Sequence, residues 1–320
     1  MKLFSRFATV FAFLLFAAAP VRAVDPIEIK QQWLAGKKYY QTLRTEQRST
    51  FQVGPQKMDQ SSTMTVDLTM TVGPKKAGEP KRMTIRYERT AMEINMNGQR
   101  MGFDSADPNP GNDPLGLAKT AGATVGKELK VILNDHDQVA EIENYDEFIK
   151  NLAPSAMPGF DPSKMFSRDA LSQMLQQGSL QALPNKPVAV GETWPFQTDI
   201  ALPQLGTVGM KGNYTLKAIG DHRGTNCAEI ATDGTLSMDL AAASTGAEKG
   251  SPLATLGMKV TDGTLKGSIW FDPQLGFARE SQLVQEMKIS MKNPTDPTAT
   301  IDVPMKQTIH MELTKVEAAK

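Results

Sequence analysis

The chain has 320 residues with 35 basic and 35 acidic side chains, three histidines and a single cysteine. A zero formal balance with no basic stripe excludes nucleic acid as a partner, because phosphate binding needs a positive surplus. One cysteine cannot form an internal disulfide, so the core alone must hold the fold.

Residues 1–23, MKLFSRFATVFAFLLFAAAPVRA, place Lys2 and Arg6 ahead of an apolar run from Phe7 to Ala19 and end on Val21-Arg22-Ala23. This is the three-part pattern of a secretory signal peptide, and its apolar run is short for a membrane span. The segment holds no cysteine for a lipid anchor. Removing 23 of 320 residues leaves 297, and with Lys2, Arg6 and Arg22 gone the mature chain carries 32 basic against 35 acidic residues. No other stretch approaches 18 consecutive apolar residues, so the expectation is a soluble protein, periplasmic or extracellular, exported across a bacterial envelope.

An N-terminal β-rich half is expected over 24–144. Ile27, Ile29 and Trp33 alternate with polar residues before LAGKK leads into the long polar strand YYQTLRTEQRSTFQV. TMTVDLTMTV follows, with Met64, Val66, Leu68, Met70 and Val72 on one parity and threonines and Asp67 on the other. Period-two alternation is the mark of a half-buried antiparallel strand. Met83, Ile85 and Tyr87 continue it, and then the parity flips to Met92, Ile94 and Met96, which predicts a bulge near Thr90. Asn97-Gly98 signals a hairpin. ADPNPGNDPLG reads as a loop with Pro114 opening a short helix, and KELKVIL, NDHD and QVAEIE read as strand, turn and strand.

A helical interlude is expected over 145–183, its clearest piece capped by Ser167, with Ala170, Leu171, Met174 and Leu175 on one face and Gly178 at its end. A C-terminal β-rich half, 184–320, starts at LPNKPVAVGETW. Its strands are GNYTLKAIG, NCAEIATDG, GTLSMDLAAA, TDGTLKGSIWF, QLGFARESQLVQEMKISMK and IDVPMKQTIHMELTKV. The fold class is therefore mainly β: antiparallel meander sheets, half-barrel or sandwich-like, in two loosely duplicated halves with a few short helices.

Chemistry is thinly represented. His136, His222 and His310 are scattered, the first two in turns and the last on the polar face of its strand. Cys227 shares its parity with Glu229 but is expected to be buried and inert. GxSxG, SxxK, P-loop, HExxH, CxxC and GxGxxG patterns are absent, so no catalytic residue, no cofactor and no metal ligand is assigned. Asp104, Asp107, Asn109, Asn112 and Asp113 offer oxygen ligands in loop 104–113 without the spacing of a calcium loop, and Asx turns between prolines are the expected reading.

MGFDSADPNP with NDPLG, KELKVILNDHDQVAEIENYDE, LPNKPVAVGETW and SIWFDPQLGF together resemble a family of secreted, β-rich bacterial proteins recorded as a domain of unknown function. The resemblance covers most of the mature chain and implies structural motifs: FDS closing a strand, a Gly-Glu-Thr-Trp corner and an Asp-Pro-x-x-Gly hairpin. It implies no catalytic residue. One departure is the turn after KVIL, which reads NDHDQ where a glycine is expected. A looser architectural likeness is to periplasmic half-barrel carriers, which fold a long antiparallel sheet over helices and hold lipid or lipoprotein chains.

Three functions compete. An exported, non-enzymatic protein could bind an apolar or lipid-like ligand on a Met-rich sheet face, because methionine adapts to irregular apolar partners. Its lining candidates are Met64, Val66, Leu68, Met70, Met83, Ile85, Tyr87, Met287, Ile289 and Met291. The alternative is a structural or protein-interaction component of the cell envelope with no small ligand, which uses the sheet as scaffold and its polar loops as contact surface. A membrane barrel is disfavoured by five tyrosines, three tryptophans and the helical interlude.

Overall fold

The computed structural model describes residues 25–53, 56–74, 77–107, 113, 116–152, 168, 171–172, 175, 183–184, 186–202, 206–239, 259–292 and 300–319. The expected signal segment, Pro114, Ser167 and most of the helical interlude lie outside these residues. In chain order the strands are β1 (Lys37–Val53), β2 (Gln56–Val72), β3 (Lys81–Met96), β4 (Gln99–Asp104), β5 (Glu128–Leu133), β6 (Val139–Ile142), β7 (Thr193–Leu202), β8 (Gly206–His222), β9 (Thr225–Asp239), β10 (Lys259–Asp272), β11 (Phe277–Lys292) and β12 (Thr300–Ala318). Two helices, α1 (Leu117–Thr120) and α2 (Tyr145–Leu152), and a 3-10 turn at Ala121–Thr124 lie between β4 and β7.

All twelve strands belong to one antiparallel sheet in the order β6-β5-β3-β2-β1-β12-β11-β10-β9-β8-β7, with β4 pairing β3. The sheet is not closed, so among the described residues it lacks the edge-free ring that a membrane-spanning barrel requires. Two meanders meet at the centre, where β1 and β12 pair from Lys37 opposite Ala318 to Ser49 opposite Met305.

Local sequence dictates most of this. The parity flip in β3 is a bulge: Leu68 of β2 pairs with Tyr87 and Asp67 with Arg89, so Glu88 is the extra residue, two positions before Thr90. Asn97 and Gly98 have φ of 51° and 88°, the two positive values that a type I′ turn demands. In NDHDQ the left-handed position falls to Asp137, φ 60°, rather than to glycine. Its carboxylate then does what glycine could not, accepting the Trp33 N–H at 3.2 Å and pairing with Lys81.

One expectation fails. NCAEIATDG and GTLSMDLAAA are not two separate strands, because Thr225–Asp239 runs unbroken as β9. Gly234 sits mid-strand opposite Gly212 of β8. A Cβ at Gly212 would run into the Asp233 carbonyl oxygen and lie 2.9 Å from the Phe196 ring, and one at Gly234 would lie 2.6 Å from the Lys211 carbonyl oxygen. Both glycines permit a close backbone approach in mid-strand, and neither makes a turn.

The recurrent motifs are turn devices. Asp104 of FDS holds Arg89 through two bonds of 2.9 and 2.6 Å, and the Ser105 hydroxyl accepts the Thr90 N–H. In the Gly-Glu-Thr-Trp corner the Glu192 carboxylate accepts the Ala189 N–H at 2.6 Å and Lys186 at 2.8 Å. Asp272 of the Asp-Pro-x-x-Gly hairpin, 3% exposed, accepts the N–H groups of Gln274 and Leu275 and the Arg279 guanidinium. Asp113 accepts the Ala118 N–H at 2.8 Å, so Asp104 and Asp113 of the oxygen-rich loop serve a strand end and a helix start. The intervening residues 108–112 lie outside the described set.

Two apolar clusters form on one face of the sheet. The first joins Trp33, Tyr39, Met70, Met83, Val131, Ile142 and Phe277 to Phe148, Ile149 and Leu152 of α2 and to Leu171. The second joins Trp194, Phe196, Met210, Leu216, Ile230, Leu265, Ile269, Phe271, Met287 and Met311.

Candidate functional site

Between the two clusters lies a partly open cavity of about 590 Å³. Met83 of β3 and Met210 of β8 both line it, although seven strand-to-strand steps separate them in the sheet. In a flat sheet those steps would span roughly 34 Å at about 4.8 Å each. The sheet must therefore curl until its two wings face one another across the space.

Cross-strand register builds the wall. Leu43 of β1 stands between Val66 of β2 and Met311 of β12, and Gln41 stands between Leu68 and Leu313. Across β11, Ser281 faces Met311, Leu283 faces Ile309, Gln285 faces Gln307 and Met287 faces Met305. Six methionines, Met70, Met83, Met210, Met287, Met305 and Met311, line the cavity with leucines, isoleucines and the rings of Trp33, Tyr87, Tyr214 and Phe277. Among the described residues none that line the cavity carries a formal charge. Burial pushes the Tyr87 phenol above its ordinary value, so it too is neutral.

Of the residues expected to line a ligand site, Leu68, Met70, Met83, Ile85, Tyr87 and Met287 border the cavity. Met64, Val66, Ile289 and Met291 are not among the lining residues. Val66 is buried, and Ile289 is partly buried against the second cluster. The same face is thus both core and cavity. Phe148, Ile149 and Leu152 of α2 pack with Met83 and Ile85 at one wing, and Leu175 of the interlude borders the space itself. Sequence reading did not assign Gln31, Gln41, Thr232, Ser281, Gln285 or Gln307, the polar residues of the wall, to the site. Thr232 and Gln285, 5% and 8% exposed, each hold the inward parity of an otherwise apolar strand, which is the signal that could have found them.

Two histidines that look scattered in sequence converge on the opposite face. His222 Nε2 lies 3.0 Å and His310 Nε2 2.8 Å from the two oxygens of Glu280, and Arg223 approaches the same carboxylate at 3.0 Å. The His222 ring stacks on Trp270 at 4.6 Å. Burial works to raise the Glu280 pKa, but the hydrogen bonds from His310 and His222 and the Arg223 charge outweigh it and hold the carboxyl below its ordinary range. Every oxygen of Glu280 is engaged, so the set pins the end of β8 to β10, β11 and β12. Among the described residues no group of three His, Cys, Asp or Glu side chains is set to hold a metal. Cys227 is buried, and that burial pushes its thiol up, away from the reactive thiolate.

Residues 79–278 match the model of a family described as a family of unknown function, DUF6263. The chain belongs to DUF6263. The matched stretch starts just before β3 and ends at the second residue of β11, so β1, β2, β12 and most of β11, which supply the middle of the cavity wall, lie beyond it. No curated protein matches this DUF6263 chain.

Three solved structures resemble it at low similarity. A structure of lipid–protein interactions in lipovitellin is 8% identical with a TM-score of 0.47, covering 90% of this chain, which spans 26% of that chain's length. DynF from the dynemicin biosynthesis pathway of Micromonospora chersina is 9% identical with a TM-score of 0.21, covering 96% of this chain and 92% of its own. A putative outer membrane lipoprotein-sorting protein domain from Vibrio parahaemolyticus is 7% identical with a TM-score of 0.14, covering 87% and 84%.

Proposed function

We propose that this protein is an exported, non-enzymatic binding protein that holds an apolar, lipid-like ligand in the cavity on its Met-rich sheet face. The observation that carries the reading is the cavity: about 590 Å³, walled by methionine, aliphatic and aromatic side chains from both wings of one curled sheet, with no charged side chain among the described residues of its lining. That volume lies in the range of small-molecule sites, roughly 300–1,000 Å³. A core built only for stability would be filled, because interiors pack to crystal-like density. Methionine suits such a wall, since its unbranched thioether can repack around ligands of different shape. Export rests on the pattern of residues 1–23, and the absence of an assigned reaction on the motif survey.

The test is to express the full chain, recover it from the periplasmic fraction, and compare native mass spectra before and after organic extraction. The expected result is a co-purifying apolar species that extraction removes, and a stripped protein that takes up a neutral lipophilic fluorophore. A protein isolated without ligand that also fails to bind the fluorophore would overturn the proposal.

A further inference from the structure

The cavity has a polar spot, and its chemistry is selective. Among the described residues, Thr232 Oγ1 is the buried side-chain polar atom that lacks a hydrogen-bond partner. Thr232 is 5% exposed and borders the cavity. Its partner across β10 is Gly267, which has no side chain to cover the hydroxyl, and its partner across β8 is Tyr214. Buried hydroxyls in native proteins are almost always satisfied, so an orphan facing a cavity marks a place where another molecule completes the bond. Gln285, 8% exposed, and its cross-strand partner Gln307 supply further uncharged donors and acceptors to the same wall. Among the described residues the lining has no lysine, arginine or histidine to balance an anion, and no carboxylate to balance a cation. Burying an unpaired charge there would be strongly opposed, whereas a neutral hydroxyl, ester or amide would be accepted.

Resting on the binding function proposed above, we infer that the ligand is a neutral amphiphile, an acyl chain carrying one uncharged hydrogen-bonding group that meets Thr232, and that ionised fatty acids are rejected. The amide and hydroxyl groups of the wall orient that headgroup, while the methionines take the chain.

The test displaces a neutral lipophilic fluorophore, N-phenyl-1-naphthylamine, from the stripped full-length protein at pH 8. The competitors are 1-monopalmitoylglycerol, hexadecanol and palmitate, each below its aggregation concentration. The two neutral lipids are expected to compete at least ten-fold more tightly than palmitate. Thr232→Val, close in shape, should narrow the preference for the neutral lipids over palmitate about five-fold, while Thr232→Ser restores it. Thr232→Val should also raise the melting temperature of the ligand-free protein, because it removes the orphan hydroxyl. Equal competition by palmitate on the wild-type protein would overturn the inference whatever the variants do, and so would an unchanged preference in a folded Thr232→Val. Failure of the fluorophore to bind the wild-type protein would instead strike the binding function itself.

Discussion

Glu280 shows what one side chain can hold together on the polar face. Its carboxylate is shared by His222, His310 and Arg223, residues brought from β8, β12 and the β8–β9 turn, and it is held below the ordinary carboxylate range. A depressed folded-state pKa means that the unfolded chain binds the proton more tightly. The stabilisation is therefore complete above the unfolded value of about 4.3 and drains away as pH falls through the folded value. Glu280→Gln keeps the shape but removes the charge, and should cost about 1–2 kcal/mol at pH 7. Melting curves taken from pH 7 to pH 3 should show the wild type losing stability on acidification more steeply than the variant, so that the gap closes at the acid end. Parallel curves would show that the carboxylate is not linked to folding. None of this is visible in sequence. His222 and His310 are 88 positions apart, and their meeting depends on the registers of β8 against β9, β9 against β10, β10 against β11 and β11 against β12, which no local pattern encodes.

At the scale of elements, the strands were legible wherever one face alternates cleanly. The TMTVDLTMTV stretch is a strand whose Val66, Met70 and Val72 are buried on one parity, while Thr69 on the other is 3% exposed and donates to Glu88, and the flip to Met92, Ile94 and Met96 is the bulge at Glu88. Alternation fixes which side a residue faces but not how far along the strand the cavity extends. Met64 and Met70 share a parity, yet Met70 borders the cavity and Met64 does not. What sets that limit is the curl of the sheet, which alternation does not record. Gly212 and Gly234 face each other in mid-strand, where a side chain would collide with backbone or with the Phe196 ring. Gly212→Val should therefore cost at least about 2 kcal/mol by overpacking. The denaturant midpoint would fall, and fluorophore uptake would weaken as the β8 wing is forced away from β3. A variant of wild-type stability would show that the approach at Gly212 is relaxed at no cost.

For the whole molecule, the two meanders are not separate cores. Trp33 and Tyr39, early in the chain, pack on Phe277 at 4.8 and 5.9 Å, and Leu43 of β1 packs against the cluster of the C-terminal strands. Each cluster thus takes side chains from both halves, and equilibrium unfolding should be a single transition. Far-ultraviolet circular dichroism and tryptophan fluorescence, reporting Trp33 in one cluster and Trp194 in the other, should coincide in midpoint. Two separated transitions would show that the halves are independent units.

The pairing of β1 with β12 at the centre of the sheet has a bearing on time as well as on shape. Strands whose first paired residues are Lys37 and Ala318 must find each other across almost the whole described chain. Loop closure of that span is entropically slow, and topologies dominated by distant pairings fold slowly. Each meander can form its hairpins as soon as its own segment emerges, but the seam waits for the last strand. The cavity wall runs through that seam, so the capacity to accept a ligand is acquired at the end of folding, after the final strand is in place.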